Sequence, residues 1–191
     1  MTEAIRCFAD QGFDGTSLND IAAAVGIRRP SLLHHFPSKD ALYAEVFERV
    51  LSDFVGPLEE TAAVPLDGWP KVELVLTTLF RLFGENPDHV RLIRREAIDG
   101  GTRVGIDLAA ALHPMFEGAI GYLRREMGAG RFRMHDPAQV IVTGYGALLS
   151  YFSDAAILNG VIGAEPFAAE SLDHRQRHIV GFFEAALRPD S

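Results

Sequence analysis

The sequence predicts an all-α protein, and three observations carry that expectation. Apolar residues recur at three- and four-residue spacing through most of the 191 residues, which lines them along one face of a helix. No run alternates convincingly with a period of two, so no half-buried strand is indicated. The periodic stretches are also punctuated in the helical manner, with Ser or Asp before them and Gly or Pro after.

Taken in order, TEAIRCFADQGF reads as a helix with Ile5, Phe8 and Ala9 inward and an end at Gly12. FDGTS is a connector. Residues 16–39, TSLNDIAAAVGIRRPSLLHHFPSK, read as two short helices joined by a tight turn. Leu18, Ile21, Ala22 and Val25 make one apolar face. Thr16 or Ser17 caps the start, and Ser17 with Asp20 fits a capping box. Gly26 follows where a helix end wants positive φ. Pro30 suits the first turn of the next helix, because its missing N–H has no intrahelical partner there. Ala22, Gly26 and Leu32 thus supply the close approach, turn and core anchor of a helix-turn-helix.

Ser38 then caps a long helix, SKDALYAEVFERVLSDFVGPLEE, with Asp40 in its first turn to suit the helix dipole. A bend or stop is expected near Gly56-Pro57. AAVPLDGWP is a loop, KVELVLTTLFRLFGEN a helix and DHVRLIRREAIDGG a shorter one. The pattern is helical again from about Arg103 to Met127, with an interruption expected at His113-Pro114. After the loop GAGRFRMHDP, Asp136 caps a helix expected over 137–160. That stretch is apolar almost all round, so it is expected to be buried or to form an interface. SLDHRQRHIVGFFEAALR is the last helix, with Ile179, Phe182, Phe183, Ala186 and Leu187 on its apolar face.

Composition bounds the function. Apolar residues are 48% and charged residues 23%, which is ordinary for a soluble globular chain. The net charge of −8 means that any attraction to nucleic acid must come from a local patch. Such a patch exists: no acidic residue lies between Asp20 and Asp40. The single Cys7 excludes an intramolecular disulfide and a cysteine metal cluster, which fits a reducing cytoplasm. No stretch has the length of a membrane span and no signal-peptide pattern opens the chain. A cytoplasmic protein is expected. No catalytic arrangement stands out: GxSxG and HExxH are absent, and Gly144-Tyr145-Gly146 reads as close helix packing. No enzyme, metal or cofactor is expected.

The stretch FADQGFDGTSLNDIAAAVGIRRPSLLHHFPSKDAL resembles the N-terminal DNA-binding domain of TetR-type transcriptional regulators. Phe8, Ala9, Gly12, Phe13, Thr16, Ile21, Ala22, Gly26, Leu32, His35, Phe36, Ser38 and Lys39 all fall where that pattern wants their type. The resemblance implies a three-helix reader followed by a helical ligand-binding and dimerisation domain, divided here as 1–44 and 45–191. It further implies a homodimeric, ligand-responsive regulator of double-stranded DNA. A repressor released from a palindromic operator is the expected form. The alternative weighed beside it is an all-α carrier or enzyme that keeps the helix-turn-helix as scaffold.

The candidate DNA contacts are Thr16, Ser17, Arg28, Arg29, Ser31, Leu33, His34, His35 and Lys39. Guanidinium groups can bond guanine O6 and N7 together, so Arg28 and Arg29 are candidates to read bases. The resemblance implies that His35 and Lys39 meet backbone phosphates. Leu33 stands where the family favours tyrosine and offers only apolar contact, for instance with a thymine methyl. For the effector, Phe47, Phe54, Leu76, Phe80, Phe83, Met115, Phe116 and Tyr151 are candidate wall residues and Arg95 a candidate polar handle. A small apolar or aromatic molecule is the expected effector.

Overall fold

The structure is a computed structural model that describes residues 1–101, 105 and 107–189. Its described residues form ten α-helices and no strand, as the periodicity predicts. They are α1 Thr2–Gly15, α2 Leu18–Val25, α3 Arg29–His35, α4 Lys39–Ala63, α5 Trp69–Glu85, α6 Pro87–Ile98, α7 Leu108–Gly128, α8 Pro137–Ser153, α9 Ala155–Ile162 and α10 Ala169–Leu187. The helix start expected at Arg103 lies outside the described residues, and α7 begins at Leu108.

By contacts the chain forms two compact units, one of Met1–Phe54 with Asn86–Ala111 and one of Val55–Glu85 with Leu112–Ser191. The division expected after residue 44 is thus not where contacts divide the chain. The first unit carries α4 as far as Phe54 and takes in α6. The reason is visible in its interior. Tyr43 on α4 lies edge-on to Phe8 and Phe13, with ring centroids 4.9 and 5.0 Å away, and stacks at 6.0 Å on Phe47. Its hydroxyl donates to Oε2 of Glu96 on α6 at 2.7 Å. Glu96 is 1% exposed, so this bond satisfies a group that is expensive to bury alone. Arg91 of α6 reaches Asp10 of α1 at 2.8 Å and Asp88 at 2.6 Å.

Arg95 completes the seam. Its Nη2 donates toward Asp10 O at 3.3 Å and Ala9 O at 3.5 Å, near the C-terminal end of α1, where a cation meets the negative end of the helix dipole. The chain can pass there only because residue 12 is glycine. Gly12 has φ 74 and ψ 177, a conformation that L side chains rarely adopt. A Cβ at that position would also stand 3.1 Å from Arg95 Nη1.

In the second unit α5 packs on α8 and α10. Phe80 and Phe152 meet edge-on at 5.0 Å, with Tyr151 at 5.3 Å and Phe167 at 6.1 Å from the Phe152 ring. Buried Glu126 on α7 accepts from Gly68 N at 2.9 Å and from two guanidinium nitrogens of Arg131. Those arginine bonds, chiefly, hold its carboxyl below the usual carboxylate range.

Lys71 is buried and gives its ammonium to three carbonyls near the end of α4, Thr61 at 2.9 Å, Ala62 at 2.6 Å and Val64 at 2.6 Å. These are the acceptors that a helix C-terminus leaves unpaired. Lys71→Met keeps the aliphatic stem and removes the donor. Stability to denaturant should fall by about 1–3 kcal/mol for acceptors left buried and unsatisfied. An unchanged midpoint would mean that solvent reaches these carbonyls.

Two breaks expected at prolines do not end their helices, and one helix expected to be continuous is broken. α4 runs through Pro57 to Ala63, and α7 runs through Pro114 from Leu108 to Gly128. A proline removes one i→i−4 bond, and both helices continue across that loss. Conversely, the single helix expected over 137–160 breaks at Asp154, and α8 and α9 turn by 87° there. Asp154 accepts from the Ser153 hydroxyl at 2.7 Å and sits at φ −110, ψ 25. A side chain that bonds locally competes with the helix in this way. No single helix among the described residues is long and apolar enough to cross a membrane.

Candidate nucleic-acid interface

The helix-turn-helix is built from short-range bonds. Ser17 Oγ accepts from Asp20 N at 3.2 Å while Ser17 N donates to Asp20 Oδ2 at 2.9 Å, a closed capping box at the start of α2. Asp20's bonds to the Ser17 side chain and backbone pull its carboxyl below the usual range. Gly26 ends α2 in the left-handed region at φ 76, and Ile27 N returns to Ala22 O at 2.9 Å. With Ile21 and Ala22 buried beneath it, Leu32 anchors α3 at 6% exposure.

That anchoring decides what α3 shows to solvent. Arg28, Arg29, Ser31, His34 and His35 are exposed and Leu33 is half-buried. Arg28 occupies the N-cap position and Arg29 and Pro30 open the helix, so both cations project from its N-terminal end. The rings of His34 and His35 meet edge-on at 5.5 Å. Beside α3 lies an open concavity of about 540 Å³, lined in part by Ser17, Asn19, Arg29, Leu33, Ser38 and Lys39. Its walls mix N–H and O–H donors with the apolar side chains of Leu18, Leu33 and Pro37 and with the acidic Asp14, and the donors are of the kind that meet a sugar–phosphate edge.

Two candidates sit differently from expectation. Thr16 is 2% exposed, and its hydroxyl lies 2.7 Å from Gly12 O and 3.0 Å from Cys7 O. It fastens α1 to the helix-turn-helix, and its side chain has no face for DNA. Lys39 is half-buried: Nζ donates to Phe13 O at 2.8 Å and Thr16 O at 3.1 Å, and lies 4.2 Å from the centroid of the Phe13 ring. Two of its three N–H groups therefore hold the reader together. Lys39→Gln should destabilise the DNA-free protein by about 1 kcal/mol after discounting for the half-exposed site, read as a lower thermal midpoint. A midpoint equal to that of the unaltered chain would contradict this role.

Residues 1–46 match the family of bacterial regulatory proteins called tetR, and residues 70–182 match the tetracyclin repressor-like C-terminal domain. The chain belongs to the tetR family. It is a DNA-binding transcriptional regulator, of a family not known to be enzymatic. Among its relatives is the HTH-type transcriptional regulator RutR of Escherichia coli K12, 25% identical over 94% of this chain and 86% of that protein. In fold it is similar to the ketosteroid transcriptional regulator KstR2 of Mycobacterium tuberculosis, with a TM-score of 0.84 at 16% identity over 99% of this chain and 93% of that one. It is also similar to AibR, solved with isovaleryl coenzyme A and operator DNA, with a TM-score of 0.78 at 17% identity over 94% and 93% of the two chains.

The effector candidates of this TetR-family chain divide between its units. Phe47, Phe54 and Arg95 belong to the first. Phe47 is 0% exposed against Tyr43, Phe54 lies edge-on to His89 at 5.8 Å, and Arg95 is spent on α1. Arg95 thus turns one guanidinium nitrogen, Nη2, to the carbonyls near the end of α1. Leu76, Phe80, Phe83, Met115, Phe116 and Tyr151 all lie in the second unit. Phe116 meets Tyr145 at 5.9 Å, whereas Phe80, Phe83 and Tyr151 each meet the ring of Phe152.

Sequence reasoning missed Tyr43, Glu96 and Lys71 as organising groups. Glu96 did leave a signal, since it follows Val90 and Ile93 at three-residue steps on an apolar face. Lys71 left none, because its acceptors are carbonyls of another helix.

Proposed function

We propose that this TetR-family regulator works as a homodimeric repressor that leaves a palindromic operator when a small apolar or aromatic effector occupies its second unit. The observation that carries the DNA reading is the exposed face of α3, with Arg28, Arg29, Ser31, His34 and His35 turned to solvent and Leu33 half-buried beside them, above a buried Leu32. Arg28 and Arg29 read base edges. Ser17, His35 and the remaining N–H of Lys39 meet phosphates.

A dimer places two such helices in successive major grooves, about 34–36 Å apart. Support for self-association comes from large apolar residues left in solvent, Val142 of α8 at 55% exposure and Phe182 of α10 at 54%. A second concavity, of about 260 Å³, lies between these helices and is lined by His135, Val140, Thr143, Phe182 and Phe183. Two-fold pairing of α8 and α10 makes a four-helix bundle and buries that surface.

Support for an apolar or aromatic effector is the ring cluster of the second unit, together with two fold neighbours, the ketosteroid transcriptional regulator KstR2 and AibR, the latter solved with isovaleryl coenzyme A. A ligand moves a two-state equilibrium from 1:99 to 99:1 only with about 5.5 kcal/mol of differential affinity. The deciding experiment selects bound duplexes from a random pool and then screens apolar and aromatic compounds for release of the selected site. A palindromic consensus with salt-dependent affinity, weakened by a compound that also raises the melting temperature, is the expected result. Absence of any preferred sequence would overturn the reader, and release by no compound would overturn the effector.

A further inference from the structure

Arg175 is the arginine whose surroundings the repressor reading leaves unexplained. It lies on α10, two residues from the surface pair that Arg177 makes with Asp173 at 2.9 Å. Arg175 turns the other way, onto α8. Its Nη2 donates to Ala147 O at 3.0 Å, and its guanidinium carbon lies 5.2 Å from the centroid of the Tyr151 ring. Ala147 and Tyr151 are four residues apart and share one face of α8. Nε is buried and finds no hydrogen-bond partner among the described residues. Among the described residues no carboxylate acts on this guanidinium.

The other perturbed arginines behave in the opposite sense. Arg6, Arg91 and Arg131 each have a carboxylate beside them, and each has its pKa raised by that pairing. Arg175 has its pKa lowered, by burial, with only Tyr151 acting against the shift. A guanidinium stays charged in proteins even so. A partly buried cation with an orphaned N–H and no counter-ion is a costly arrangement, and an anion from outside relieves it.

What surrounds it limits the kind of anion. Tyr151 is 6% exposed and fixed by its hydroxyl, which donates to Pro166 O at 2.7 Å. Its ring adjoins Phe80 at 6.3 Å and Phe152 at 5.3 Å. An occupant would have a charged head for the guanidinium and an apolar body for the rings. We propose that Arg175 is the anion anchor of the effector site, taking the head group of an amphipathic organic acid whose apolar body lies against Tyr151 and Phe80. The proposal rests on the effector reading above and narrows it from apolar molecules at large to acids. A planar fork can hold a carboxylate with two parallel N–H bonds, which an ammonium cannot do.

The test uses the full chain and probes matched in their tails. Octanoate, octyl phosphate and octanamide are titrated by calorimetry, beside 3-phenylpropionate and its amide. The unaltered chain should prefer an acid over the matching amide by about tenfold to a hundredfold, the worth of a charge-assisted pair. Arg175→Gln should bring acid and amide level while leaving amide affinity where it was. Arg175→Lys, which keeps the charge without the fork, should fall between them and serves if the glutamine variant does not fold. Arg177→Gln should keep the full preference. Tighter binding of octanoate than octyl phosphate assigns a carboxylate, and the reverse a phosphate. Acid and amide binding alike to the unaltered chain, or an acid preference that survives Arg175→Gln, would overturn the anchor and leave the effector reading standing. Binding of none of these probes overturns the anchor as well, and release of the selected DNA by a neutral compound then shows that the effector reading survives without it.

Discussion

Phe182→Glu should give a chain that sediments as a monomer and no longer holds a two-half-site operator. Phe182 is the large aromatic residue that α10 leaves 54% exposed. Its ring contacts are Phe183 at 5.6 Å, edge-on, and His178 at 6.4 Å, stacked. Full burial of such a side chain is worth about 1.5–3 kcal/mol, and two-fold symmetry counts it twice. A carboxylate there opposes burial instead. Monomers engage one half-site at a time, so binding to a palindrome loses the gain from linking two contacts, about 10²–10⁴-fold. The readouts are sedimentation and a gel shift on one and two half-sites. Helical content identical to that of the unaltered chain is the control, because Phe182 lies outside the core. A stable dimer carrying the change would remove α10 from the interface.

The second large effect belongs to α3. Arg28→Ala and Arg29→Ala should each cost about 1–3 kcal/mol on the preferred site and flatten the preference at one base position. Lys39→Gln should act differently, weakening all sequences alike and reducing the salt slope by about 0.9 if its third N–H meets a phosphate. The contrast follows from position. Arg28 and Arg29 are exposed at the open end of α3, whereas Lys39 gives two bonds to the connector beneath it. The same selected DNA, titrated across salt for each variant, separates the roles. Equal losses on specific and random duplexes for both arginine variants would return them to general phosphate contact.

The helix-turn-helix was legible in the sequence because its logic is local. Ser17 caps through Asp20, three residues on, and Gly26 takes the positive φ that its position at the end of α2 demands. Leu32 is buried because helical spacing leaves it no other face. Each of these depends on neighbours within about one helical turn, so residue type and spacing suffice. The helical class of the second unit was legible for the same reason.

What tertiary structure decided is where groups distant in sequence spend their bonds. Arg95 reads as a polar handle for an effector, yet it reaches the end of α1, 85 residues away, over a glycine that leaves it room. Thr16 reads as a cap or a DNA contact, yet its hydroxyl is buried on Gly12 and Cys7 carbonyls. Phe47 and Phe54 read as effector walls, yet they belong to the compact unit of the reader. Asp154 and its neighbouring serine divide one apolar run into α8 and α9, where composition alone continues it. Periodicity states which face of a helix is buried. It does not state against what, and a polar side chain on that face has its role set only when the carbonyl or carboxylate opposite it is known.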